Sequence, residues 1–216
     1  MARQCTALAR DYRPAWEDGD KSLTALLAEV RACRLCAAHL PHEPRPVLRF
    51  AAAARLCIAG QAPGLRVHRS GIPFTDPSGE RLRAWMGVTA EEFYDERRVA
   101  IVPMGFCFPG YDDSGADRPP RPECARAWRE RLFAARAPFE LLLAVGTYAH
   151  RYHLGAAAGA GVTGTVRRWR EFGPGVIPLP HPSWRNNAWL RRNPWFEEEM
   201  LPDLKRRVRR ALSSPR

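Results

Sequence analysis

Short apolar runs divide this chain. Arg55-Leu-Cys-Ile-Ala-Gly60, Val99-Ala-Ile-Val102, Phe139-Glu-Leu-Leu-Leu-Ala-Val145 and Gly175-Val-Ile-Pro-Leu179 each end at, or just before, a glycine or a proline. Runs of this length and composition read as strands buried on both faces, the mark of a parallel sheet. Between them, apolar positions recur at helical spacing. Ser22 caps a predicted helix that runs to about Ala38, with Leu23, Leu26, Leu27, Val30 and Leu35 on its apolar face. Further helices are predicted over 79–86, 90–94 and 123–135, from Thr147 onward, and over 196–211. Strands alternating with helices predict one α/β domain, a three-layer α/β/α sandwich around a mainly parallel four-stranded sheet. That domain spans 21–216. Residues 1–20, broken by Arg13-Pro14 and Asp18-Gly19-Asp20, read as a loosely ordered arm.

Two stretches have no periodicity. Residues 61–78 read as loop, punctuated by Gly64, Gly71 and Pro77. Phe108–Pro122, rich in glycine, proline and aspartate, reads as a long surface loop. Loops of that length in a compact domain either carry function or lack order.

Composition adds a partner and removes some classes. With 216 residues the chain can bury a sizeable core. A formal charge of +11 favours a polyanion, nucleic acid first. No apolar run reaches about 18 residues, so no membrane span is expected. The first residues lack the apolar core of a signal peptide. Six cysteines without such a signal argue against a disulfide framework and for a cytoplasmic chain, expected to act as a monomer.

Three groups of residues carry candidate chemistry. His181 stands between Pro180 and Pro182 after the last strand, on a stiff turn at the strand end where α/β sheets bind ligands. Cys33, Cys36, Cys107 and Cys124 have a spacing that suits a [4Fe–4S] cluster or a tetrahedral zinc site; spacing alone leaves open a chance pair and two core thiols. Cys57 sits inside a strand and reads as core. From Trp184 to Phe196, tryptophans alternate with Arg185, Arg191 and Arg192, which suits a nucleic-acid backbone with unstacked bases or, equally, an amphipathic segment whose rings are core.

Gly60-Gln-Ala-Pro-Gly64 after the first strand, Gly71-Ile-Pro-Phe74 and His181-Pro-Ser183 together resemble the motifs of the uracil-DNA glycosylase superfamily. The iron–sulphur branch of that family carries four cysteines placed like these, and Arg185-Asn186 is similar to the single-strand-selective branch. The resemblance implies a base-excision glycosylase acting on DNA, most simply on uracil. It also implies a [4Fe–4S] cluster on Cys33, Cys36, Cys107 and Cys124, with zinc as the alternative. It casts His181 as the donor to the departing base and Phe74 as the stacking ring. Gln61, Ala62, Pro63 and Gly64 become the loop that positions water and sugar. Ser183 becomes a phosphate contact and Arg185 a side chain inserted into the vacated stack; Asn186 joins the substrate contacts. Two positions depart from the pattern. Gln61 stands where the iron–sulphur branch has a glutamate, so the water-activating group is sought at His68 or Asp76. Pro103 stands where the family has its base-reading asparagine, which passes that task to backbone groups or to other side chains such as Asn186, Asn187 or the Met104 region. A non-catalytic binder of damaged or single-stranded nucleic acid is the rival reading.

Overall fold

The four apolar runs become four strands in the computed structural model, which describes residues 19–159 and 161–213. They are β1 (Leu56–Ala59), β2 (Val99–Ile101), β3 (Leu141–Val145) and β4 (Val176–Leu179), every residue buried except the half-buried Val176. All pairings are parallel, in the order β2-β1-β3-β4. Pro178 has no N–H for a ladder and lies on the edge strand β4, opposite Ala144.

Alternate residues of each strand face opposite sides, and each side is covered. On one side Leu56, Ile58, Leu143 and Ile177 pack under α3 (Pro77–Met86) and α9 (Leu201–Ser213). On the other, Cys57, Ala59, Leu142 and Ala144 pack under α1 (Gly19–Arg31), α5 (Pro122–Ala134) and α6 (Thr147–Leu154). This is the expected single α/β/α domain, and Cys57 is the expected core thiol, fully buried with its pKa pushed up to about 12. No helix among the described residues is long and apolar enough to cross a membrane.

Several boundaries differ from expectation. The first helix stops at Arg31 rather than Ala38, so Cys33 and Cys36 lie on the turn that follows, before a short 3-10 turn at Ala37–His39. Leu35, assigned to the apolar face, is 64% exposed. The stretch 61–78 holds a short helix, α2 (Leu65–Ser70), closed by Gly71 at φ 72°. Two more, α7 (Gly161–Arg167) and α8 (Asn187–Arg192), escape the periodicity reading, and a π-helical turn at Phe196–Met200 leads into α9. The remaining helix is α4 (Ala90–Tyr94), opened by a Thr89–Glu92 capping box. Of the expected arm, only Gly19 and Asp20 belong to the described residues, and both are helical; the rest lies outside them.

Candidate active site and the adjoining cysteine cavity

Parallel strands all end on one edge of the sheet, and the segments leaving β1, β2 and β4 meet there. They line an open pocket of about 900 Å³. Gly60 to Gly64 form one wall, Phe74, Asp76 and Ser78 another, Pro103 the end of β2, and His181 the end of β4. Tyr111 and Asp117 close the rim from the 108–122 loop.

Phe74 is held in an unusual conformation. It is the one non-glycine among the described residues with positive φ, at 57°, in the left-handed region that costs a bulky residue energy. Its carbonyl accepts hydrogen bonds from Tyr94 Oη at 2.9 Å and Arg83 Nη1 at 3.4 Å. Phe93 meets its ring edge-on at 5.9 Å. The helix that follows fits only because residue 79 is glycine: a Cβ there would lie 1.8 Å from the Phe74 carbonyl oxygen. These contacts hold the half-buried ring in the pocket wall, 3.6 Å from where a Cβ on Gly60 would sit.

His181 is positioned by its own turn. The Ser183 N–H donates to His181 Nδ1 at 3.3 Å. An acceptor at Nδ1 places the proton of the neutral ring on Nε2. Burial holds the ring's pKa below the ordinary histidine value, against the opposing pull of the Asp76 charge. A neutral imidazole with a defined Nε2–H donor therefore faces the pocket. The turn is braced by Asn186 Nδ2, which donates to the His181 carbonyl at 2.6 Å, and by Arg81 Nη1, which donates to the Ser183 carbonyl at 3.0 Å.

The other expected site residues fall into two groups. Gln61, Ala62, Pro63, Gly64, Phe74, Asp76 and His181 are brought together in the pocket. His68, Ser183, Arg185 and Asn186 are not among its lining residues. His68 turns to the opposite side of α2, where it stacks on His42 at 5.1 Å and lies near Phe108; burial and the positive charges around it lower its pKa. Its neighbour Val67 points inward, and a helical step of one residue turns the next side chain away. Asn186 is spent on the His181 carbonyl. Arg185 lies over the 70%-exposed ring of Trp184, 5.4 Å from its centroid. Trp195 is core and the half-buried Trp189 packs against that core, so of the three tryptophans only Trp184 offers an open face.

The backbone near Pro103 is also spoken for. Arg129, buried on α5, donates Nη1 to the Val102 and Pro103 carbonyls at 2.9 and 3.0 Å. The Met104 N–H donates to Gly60 O, and the Gly105 N–H to Gln61 O, each at 2.9 Å. Asp117 and Tyr111 were not found by sequence reasoning; the loop carrying them showed no motif, only its length and composition.

Beside the pocket, Cys33, Cys36, Cys107 and Cys124 line one small cavity with Leu40, Phe106 and Trp128. Two of the sulphurs accept an N–H. Trp128 Nε1 donates to Cys33 Sγ and the Phe106 N–H to Cys124 Sγ, both at 3.3 Å. Burial raises the Cys36 thiol, against the pull of the Arg121 charge, and pushes Cys107 up to about 11 and Cys124 up to about 12. Among the described residues, no three His, Cys, Asp or Glu side chains form a group that could hold a single metal ion.

The parallel α/β/α sandwich thus gathers a histidine, a strained aromatic wall and a glycine-rich turn around one pocket at the strand ends. The family model of the Uracil DNA glycosylase superfamily matches residues 49–205. The chain belongs to that superfamily, whose shared activity is DNA glycosylase chemistry on DNA.

Proposed function

We propose that this protein is a base-excision glycosylase that hydrolyses the N-glycosidic bond of a flipped, deaminated base in DNA, with uracil as the first substrate. The single observation that carries the reading is the fixed Nε2–H of neutral His181 in the same pocket as Phe74. An extruded base stacks against the Phe74 ring. As the bond breaks, negative charge grows on the base, and the His181 donor meets it without needing to reorganise. Gln61 to Gly64 hold the sugar side. Arg185 and Trp184, exposed just beyond the histidine turn, face the strand gap left by the flipped nucleotide, and Ser183 meets the phosphate.

We propose that Cys33, Cys36, Cys107 and Cys124, which line one cavity, would hold a [4Fe–4S] cluster, with zinc as the alternative; the N–H donors to Cys33 and Cys124 and the resemblance of the cysteine spacing to the iron–sulphur branch support the cluster. Such a cluster supplies a rigid tie rather than reaction chemistry. Cys107 and Cys124 stand at the two ends of the 108–122 loop, and Cys33 and Cys36 follow α1.

The non-catalytic binder keeps one specific support: position 61 is glutamine and position 103 proline, so neither supplies the groups that relatives use. Strand scission after alkali decides between them, on oligonucleotides with uracil, hypoxanthine or xanthine, single- and double-stranded. Base release from at least one substrate is expected. Tight binding without release from any of them selects the binder.

A further inference from the structure

Hydrolysis needs an acceptor for the proton of the attacking water, and the first motif supplies none. Two carboxylates reach the pocket from elsewhere. Asp76 precedes α3, and its charge acts on the His181 ring, on the side of the departing base. Asp117 enters from the 108–122 loop. Its Oδ2 lies 3.9 Å from where a Cβ on Gly64 would sit, and the Arg185 charge acts on it from the histidine turn. It therefore stands beside the first motif, within reach of the Arg185 charge. Neither carboxyl group has a hydrogen-bond or ion-pair partner among the described residues, so the oxygens of both remain open to water or substrate.

The loop presents Asp117 on a shaped support. Tyr111 and Asp117 form a β-bridge, Arg118 N–H donates to Gly110 O at 2.9 Å, and Asp112 N–H donates to Ala116 O at 2.8 Å. The Asp112 carboxylate closes the tip by accepting from Ser114 N–H at 2.9 Å and Ala116 N–H at 3.0 Å.

We propose that Asp117 is a catalytic residue, the carboxylate that takes the proton of the attacking water in place of the acidic side chain missing from the first motif. This rests on the glycosylase reading. The C1′–N bond breaks and its electron pair leaves with the base, which is met by His181 Nε2–H. The water oxygen bonds to C1′, one water proton passes to Asp117, and the products are the hemiacetal sugar and the base anion, which takes up a proton. Partial burial and the Asp76 charge push the Asp117 carboxyl above the ordinary range, with Arg185 opposing them, which makes it a better base than a free carboxylate. DNA laid over the rim removes the remaining water around it.

The test uses two readouts on the whole 216-residue chain. The first is single-turnover base release by wild type, Asp117→Asn, and Asp117→Asn combined with Gln61→Glu. The second is affinity for DNA carrying a cationic pyrrolidine abasic analogue against its neutral tetrahydrofuran counterpart, a preference that reports negative charge beside C1′. Asp117→Asn is expected to slow release by about 100-fold or more. It should also lose most of the preference for the cation, while His181→Ala keeps it, and Gln61→Glu should restore at least part of the rate. Full rate in Asp117→Asn overturns the proposal. So does a slowed variant that keeps the cation preference and is not rescued by Gln61→Glu, since that pattern marks a role in loop shape only. If wild type releases no base, the glycosylase reading fails by itself. The cation preference then decides for Asp117: lost in Asp117→Asn, the carboxylate faces the sugar; kept, it does not.

Discussion

His181→Ala removes one hydrogen-bond donor and little else. The ring is neutral, so no formal charge is lost, and the turn keeps its Asn186 and Arg81 braces. A preorganised donor facing a developing oxyanion is worth about 2.7–4 kcal/mol, or ~100- to 1,000-fold in rate. A neutral donor belongs at the lower end of that range, so a loss of about 100-fold is expected. Because the charge it meets exists only as the bond breaks, affinity for uncleavable substrate should hardly change. The assay is single-turnover release with enzyme in excess, on whichever deaminated base wild type processes best, across pH 5 to 9. The folded pKa of His181 is lowered, so the ring is neutral above the ordinary histidine value and protonates only below it. Wild type should therefore show no imidazole step between about pH 6.5 and 8. Ser183→Pro is a finer probe. Its φ of −69° already suits proline, and the change deletes the N–H that fixes the tautomer together with the hydroxyl assigned to the phosphate; Ser183→Ala, which loses the hydroxyl alone, is its control. Ser183→Pro should cost less than His181→Ala but more than nothing. Undiminished release by His181→Ala refutes the reasoning, as does a rate step near pH 6.5 that disappears in that variant.

Other outcomes follow from residues away from the reacting atoms. Burial lowers the pKa of His150, and His153 falls to about 3 through burial and the adjacent Arg129. Folded pKa values below the unfolded one mean that stability is complete above about pH 6.5 and is lost as pH drops toward 3; a urea midpoint that holds steady from pH 7 to 4 would contradict this. Cys107→Ala should yield protein with little bound iron and a lower melting temperature, and wild type with neither iron nor zinc after anaerobic purification would rule out the metal site. Arg129→Met should lower stability by about 2–4 kcal/mol, because it strands two buried carbonyls, and a shift within experimental error argues that they find other donors. The logarithm of DNA affinity should fall linearly with the logarithm of salt concentration, as expected for +11 and counterion release, and a flat profile would remove the electrostatic argument.

The strands and the pocket motifs were legible in the sequence for one reason. Strands buried on both faces are written as unbroken apolar runs, and their functional residues follow immediately at the strand ends. Gly60 to Gly64, Phe74 and His181 needed no long-range information. The end of α1 was not legible, because neither glycine nor proline marks Arg31 and Leu35 continues the apolar spacing although it points to solvent. Nor was α2: six residues between two glycines, with Arg66, His68 and Arg69 on its surface, are too few to show a period. That missed helix also explains the placing of His68, since in a loop it could have faced Phe74, whereas on α2 it points away. Asp117 lay beyond reach for a different reason. Its place depends on how the 108–122 loop folds back over the first motif, and no local pattern encodes a contact between residues more than fifty positions apart.

Gly79 sits in a helix, where glycine costs about 1 kcal/mol relative to alanine, and the helix gains nothing from it. What requires the glycine is the Phe74 carbonyl, which occupies the space a methyl group would fill. The pocket ring and the first turns of α3 are therefore one heritable unit. Variation in the loop can alter the base that the pocket accepts only within the limits set by a bare backbone at position 79. A side chain acquired at 79 would push Phe74 off its perch before touching any substrate. Recombination between relatives, or a graft made to retarget the pocket, has to move 71–79 as a block.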